Sequence, residues 1–284
     1  MTKYNNNGYS ELLDTKITEV ISIFSEKTTK GIKKIIKKLM NNVIQRRVYD
    51  EPWNYEQEKN TRPFHMALVP KSIWKGAKFE RSFVTSLGMI GWEQIARLLA
   101  EEHHGYAENG YKVKGEMTKA QMHKIQNILN QLEGNREPNS AQELKQVLEL
   151  AENDNLIQAK VTSDLYIHNT TTDTHYYLEI KAPKPNSDQT KVSKEKILKI
   201  KAMHPEDNHK AYFALPYNPY GDRANYNWSH PKRWFKMKTS PLVKIGKEFW
   251  DLAGGQGAYE DLIDLFEDVG EQYRNIIEDD YLEV

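Results

Sequence analysis

Two short runs constrain this chain more than anything else in it: Thr162-Ser163-Asp164-Leu165-Tyr166-Ile167 and Tyr176-Tyr177-Leu178-Glu179-Ile180-Lys181. Both carry β-branched and aromatic residues in the manner of strands. The intervening Asn169-Thr170-Thr171-Thr172-Asp173-Thr174 is turn-rich and can return the chain antiparallel. The expected unit is a hairpin whose first strand delivers an acid and whose second delivers an acid and a lysine.

Side chains alternate between the faces of a strand, so Tyr177, Glu179 and Lys181 share one face while Tyr176, Leu178, Ile180 and Ala182 share the other. An antiparallel return brings Asp164 toward Glu179, and two carboxylates and an ammonium converge. Hard divalent cations such as magnesium take oxygen ligands, and Asp164 with Glu179 supplies that set. A metal-bound water is a usable nucleophile at a phosphodiester, and a lysine beside it can orient the water or stabilise the transition state. The bland alternative is a cross-strand ion pair. Glu143-Leu144-Lys145 repeats the acid-x-lysine spacing, but in a helical pattern, where residues two apart diverge.

At these residues the chain resembles the PD-(D/E)xK nuclease superfamily, with Asp164 as the first acid, Glu179-Ile180-Lys181 as the second element, and Ser163 in place of the motif's proline. The resemblance extends over roughly residues 60 to 270. The segments Arg62-Pro63-Phe64-His65, Phe79-Glu80-Arg81-Ser82-Phe83 through Trp92-Glu93-Gln94-Ile95-Ala96, Glu179 through Gln189, and Gly246-Lys247-Glu248-Phe249-Trp250 to Gly255 are similar to the TdeIII/MjaII-like type II restriction endonucleases. That resemblance implies an α/β restriction-endonuclease-like core, a mixed central sheet flanked by helices with additional helical segments. It also implies Mg2+-dependent cleavage of double-stranded DNA by a homodimer at a short palindrome of the GGNCC type, in a prokaryotic cytoplasm that holds a cognate DNA methyltransferase. Asp164 and Glu179 would bind metal with the Ile180 carbonyl oxygen, and Lys181 would assist the attacking water. A further acid from a preceding helix often joins such a set; Glu93 is favoured here, with Glu80 as the alternative. Two other readings stay open: a structure-specific or repair nuclease using the same strands, and a nonenzymatic DNA-binding protein in which the triad is a structural charge cluster.

Composition bounds the rest. Net charge is zero, yet 15 Lys and Arg stand against 5 Asp and Glu between Lys181 and Lys247, while from Asp251 to Val284 there are 11 acids against Arg274 alone. A DNA groove needs local rather than global positive charge, and the basic block starts at the expected centre. There are no cysteines, which excludes disulfides and thiolate zinc sites. No secretory leader opens the chain, and no apolar run approaches ~18 residues.

The expected organisation is one nuclease domain over residues 1–284, with the PD-(D/E)xK core at 60–250. A helical N-terminal extension occupies 1–50, with apolar repeats around Leu12 to Phe24 and Ile32 to Ile44. Residues 50 to 78, punctuated by Pro52, Pro63 and Pro70, read as irregular structure. Helices follow near 79 to 104, and Gly105 to Lys112 reads as a loop. A helical insertion at about 106–152 contains one helix through Met122 to Leu132 and another opened by a Ser140/Glu143 capping box. Val192 to Met203 reads as a lysine-laden helix crossing from the Glu179 strand to a parallel strand at Ala211 to Leu215. An acidic helical segment closes the chain at 251–284.

Sequence recognition requires side chains at base edges. The loops after the two strands supply the candidates: Lys184, Asn186, Gln189 and Lys191 in the first, Arg223, Asn225, Asn227, His230, Lys232 and Arg233 in the second. Arg223 and Arg233 are expected to read guanine, and the lysines to meet phosphates. His103 and His104, adjacent on a helix, do not make a shared ligand site. Of Trp228 and Trp234, at least one is expected in the core.

Overall fold

The computed structural model describes residues 22–152 and 155–282, so the apolar repeat from Leu12 to Ile21 lies outside the described residues. Five strands form one mixed sheet in the order β1-β2-β3-β4-β5: β1 Gly105–Thr118, β2 Leu156–Asn169, β3 Thr174–Ile180, β4 His209–Leu215 and β5 Val243–Ile245. The first three are antiparallel neighbours, and β4 and β5 continue parallel to β3.

The helices are α1 Glu26–Ile44, α2 Tyr55–Thr61, α3 Pro63–Leu68, α4 Lys71–Ser86, α5 Trp92–His104, α6 Lys119–Glu133, α7 Ser140–Leu148, α8 Ser187–Met203, α9 Ser229–Lys232, α10 Lys247–Gly254 and α11 Ala258–Glu271. They cover both faces of the sheet. On one, Tyr166, Tyr177 and Phe213 pack with Ile197 and Ile200 of α8, Ile125 and Leu129 of α6, Trp234 and Phe235. On the other, Leu165, Ile167, Leu178 and Ile180 meet Ile95 and Leu99 of α5, Ile32 and Ile36 of α1, and Trp250 of α10. The period-two pattern of the hairpin therefore divides its side chains between two cores, as alternation requires. The passage from β3 through α8 to β4 is the expected parallel crossover.

Four local expectations are corrected. Residues 105–118 are not loop and helix but β1, paired with β2 at every residue but Gly110. Gly105 starts it at φ 97°, a backbone state that favours glycine, directly against the Thr170 side chain. The stretch 50–78 is largely helical, because Pro63 opens α3 at its first turn and Pro70 is the N-cap of α4; proline starts helices as readily as it interrupts them. The cap of α7 is Asn139, whose side chain accepts from the Gln142 N–H, while the Glu143 carboxylate accepts from the Asn139 N–H at 2.8 Å. Met122 is exposed on α6 rather than in its buried stripe.

Candidate active site

The catalytic candidates meet where β2 parts from β3. Regular pairing runs from Asn169↔Thr174 to Leu165↔Leu178 and stops there. The β1 ladder is also interrupted at this level, between Asn109↔Leu165 and Tyr111↔Ser163, where Gly110 takes φ 66°. Asp164 thus sits at a local opening of the sheet. Its neighbours are fixed tightly: the Ser163 hydroxyl donates to the carbonyls of Leu165 and Leu178, and the Asn109 side-chain amide donates to the carbonyls of Asp164 and Glu93.

Asp164 Oδ2 accepts from the Ile180 backbone N–H at 2.9 Å and from Lys181 Nζ. The same ammonium lies 3.1 Å from the Ile180 carbonyl oxygen and 3.5 Å from Glu179 Oε2. Three oxygen donors, from Asp164, Glu179 and Ile180, therefore already converge on one cation. An all-oxygen set of this kind suits a hard divalent ion, so the residues present fit the metal that the sequence implies.

Glu179 is 1% exposed. Burial first, and the nearby Asp164 second, push its carboxyl up to about 7 against the counteracting lysines. Burial pulls the Lys181 ammonium down, but Asp164 and Glu179 outweigh it and hold it above the ordinary lysine range.

Glu93, in the first turn of α5, joins the group electrostatically. Burial, then Asp164, raises its carboxyl, and Lys181 and Lys196 oppose the shift. Glu80 is on the exposed side of α4, where its charge acts on Tyr217 instead.

Lys196 escaped the sequence reading. From the middle of α8 its Nζ donates to Glu179 Oε2 at 2.8 Å and Oε1 at 3.1 Å and lies 3.8 Å from Asp164 Oδ1. Five lysines between Lys191 and Lys201 look alike in sequence. The available signal was its position three residues after Ser193 and four before Ile200, both buried, which puts it beside the sheet-facing stripe.

The two loops expected to contact DNA are pinned together beside this centre. The Tyr226 hydroxyl donates to the Pro183 carbonyl, Trp228 Nε1 to the Pro185 carbonyl at 2.8 Å, and Trp234 Nε1 to the Ser187 hydroxyl. Trp234 is in the core and Trp228 at its edge. Lys184 is exposed beside the rings of Tyr220 and Trp228. Asn225, Asn227, His230, Lys232 and Arg233 are exposed on the second loop, where Lys232 reaches the Asn227 carbonyl oxygen.

The structure gives the other loop candidates different work. Asn186 and Gln189 satisfy each other's backbone N–H groups as the capping box of α8. Lys191 pairs with Glu133 at 2.7 Å. Arg223, expected at a guanine, is a strut: it donates to the Met237 and Ser240 carbonyls and to the Glu248 carboxylate. His103 and His104 do not share a ligand site: His104 bonds the Leu252 carbonyl and the Asn169 amide.

Among the described residues, no helix is long and apolar enough to cross a membrane. A family model described as type II restriction endonuclease, HinfI, matches residues 28–270. The type II restriction enzyme HgiBI of Herpetosiphon aurantiacus is 28% identical over 270 residues, covering 93% of this chain and 92% of its own. HgiEI of the same organism is 31% identical over 220 residues, covering 75% and 79%. MjaII of Methanocaldococcus jannaschii is 28% identical over 200 residues, covering 65% of this chain and 52% of its own. The chain belongs to the HinfI-type family of type II restriction endonucleases, site-specific enzymes that act on double-stranded DNA and, as a class, work with a divalent metal ion.

Proposed function

We propose that this chain is a Mg2+-dependent endonuclease of the PD-(D/E)xK type that cuts both DNA strands at a short palindrome of the GGNCC type. The observation that carries the reading is the convergence of Asp164, Glu179 and the Ile180 carbonyl on the Lys181 ammonium. Asp164, Glu179 and the Ile180 carbonyl would hold the metal, and Glu93 on α5 would add its charge to the same field. When bound, the ion supplies Lewis acidity to the scissile phosphate and lowers the pKa of its water.

The chain's own residues do the rest. Asp164 is oriented through Oδ2 by the Ile180 N–H, which leaves Oδ1 toward Lys196 at 3.8 Å. Lys181 donates toward the attacking water and the charge that develops on the phosphoryl oxygens as the bond from phosphorus to the leaving oxygen breaks. Lys196 donates to Glu179 and opposes the burial that favours its neutral form. Exposed Lys184 and Lys232 meet phosphates, and Arg233 with Asn225, Asn227 and His230 lies where base edges would pass.

One catalytic centre per chain and a palindromic target match a two-fold homodimer, each subunit cutting one strand. Such an activity in a prokaryotic cytoplasm requires a methyltransferase that protects the same site. The test is digestion of a sequenced plasmid with purified protein and Mg2+, followed by sequencing of the fragment ends. Ends sharing one palindrome, lost on chelation, are expected. Random nicking, or cleavage of branched DNA alone, overturns the site-specific reading, and a different shared palindrome overturns the GGNCC assignment.

A further inference from the structure

Helix α4 is apolar on two sides, and the fold uses one of them. Phe79 and Phe83 pack inward on the core shared by α1 and α5. Ile73, Ala77 and Val84 stand exposed on the outer side, with Glu80 between them. Spacings of four, three and four put Ile73, Ala77, Glu80 and Val84 on one stripe, the pattern by which a helix seats against a second helix. The preceding α3 has no buried residue. Phe64 and Leu68, one turn apart on it, are 82% and 84% exposed; with Tyr49 and Ile73 they are the four most exposed large apolar side chains among the described residues. A single exposed leucine is ordinary, whereas the gathering of all four between Tyr49 and Ile73 marks a contact surface.

We propose that the outer face of α4, flanked by α3, is where two copies of this chain pair, the two α4 helices lying antiparallel across the two-fold axis with Ile73 of one against Val84 of the other. The pairing deepens the two-fold enzyme proposed above and rests on that reading. Phe64, Leu68, Ile73 and Val84 leave exposed on the order of 500 Å2, a large part of the roughly 800 Å2 that each partner gives to a stable complex. Gly76, where a Cβ would meet nothing within 4 Å, and Ala77 lie near the middle of the helix and let the two backbones approach closely.

Charge selects both the occupant and its direction. Among the described residues neither Glu80 nor Arg81 forms an ion pair. With Ile73 opposite Val84 the axis crosses α4 between Lys78 and Phe79, so Glu80 of one copy and Arg81 of the other stand about 6 Å apart along the helices and pair twice by symmetry. A parallel arrangement sets Glu80 against Glu80. The face does not suit a DNA backbone, because Arg62 and Lys78 beside it are spent on the buried Glu58, and Glu80 cancels Arg81. Since α4 leads through residues 87–91 directly into the α5 turn that carries Glu93, this axis sets one nuclease centre on either side, one for each strand of a palindrome.

The test is light scattering on a sizing column with the full chain in chelator and without DNA. The parent should run at twice 33.2 kDa, and Ile73→Glu combined with Val84→Glu should run at half the parent mass while keeping its circular dichroism. Glu80→Arg should weaken the dimer at least tenfold, and Arg81→Glu added to it should restore the affinity. The chain has no cysteine, so Ile73→Cys combined with Val84→Cys supplies the only thiols; oxidation should link this double variant into a covalent dimer and link neither single variant. A monomeric parent, an unchanged mass in the double glutamate variant, or equal linkage of the single cysteine variants overturns the proposal. Intact cleavage at a palindrome beside any of these strikes the seam alone, whereas a dimer joined here that cuts no DNA strikes the nuclease reading alone.

Discussion

Glu179→Gln isolates the energetic cost of the buried acid. In the metal-free protein this carboxyl titrates near 7 instead of at the ordinary 4.5. Its folded-state value is raised, so its contribution to stability is fully present below pH 4.5 and is lost as pH rises through 7. At about 1.36 kcal/mol per unit, ionised Glu179 disfavours the fold by about 3 kcal/mol at pH 8 and by about 1 kcal/mol at pH 5. Glutamine keeps the shape and removes the titration. In chelator at pH 8 the variant should melt roughly 6 °C above the parent, taking about 2 °C per kcal/mol for a chain of this size. At pH 5 the gain should shrink to about a third, and Mg2+ should raise the melting temperature of the parent more than that of the variant. Thermal melts followed by circular dichroism at the two pH values decide it. A variant no more stable than the parent at pH 8, or equally favoured at both values, refutes the account of Glu179 as an acid strained by burial.

Other perturbations address neighbouring groups. Lys181→Ala should lower plasmid cleavage at least about 100-fold, the scale of losing one transition-state donor, while gel-shift binding of target DNA in Ca2+ persists. Lys196→Gln should move the acid limb of the pH-rate profile upward by on the order of one unit, because Glu179 loses its nearest counter-charge; a merely structural lysine would change the rate without moving the limb. Lys194 and Glu143 are both 0% exposed and paired. Lys194→Met should cost about 3–5 kcal/mol in urea melts by stranding a buried charge, and Glu143→Gln added to it should restore most of the loss.

The hairpin was legible because its evidence is local: alternation over six residues sets the faces, and an acid two residues before a lysine survives any tertiary arrangement that keeps the strand. β1 was not, because Asn109, Gly110 and the outward Glu108, Lys112, Lys114 and Glu116 dilute its pattern; only Ala107, Val113 and Met117 mark the buried side. An edge strand partnered by sequence 50 residues away leaves few apolar residues to find. Lys196 was hidden for a related reason, since its role exists only once α8 crosses the sheet. Arg223 shows the converse: exposed-loop chemistry suggested a reader, whereas the carbonyls that occupy it, Met237 and Ser240, carry no signature in sequence.

The four groups in closest contact at the proposed centre, Asp164, Glu179, Lys181 and Lys196, sum to zero charge when all are ionised. The metal-free centre is internally neutral once Glu179 ionises, which burial and Asp164 delay to about pH 7. A divalent cation held there would leave two positive charges uncompensated among these largely buried groups, and the phosphates of a DNA substrate could balance them. Cation and DNA therefore favour each other's arrival, by the same factor in either order. A restriction enzyme whose centre held its ion in this way would idle in free solution and arm itself on the strand it is about to cut.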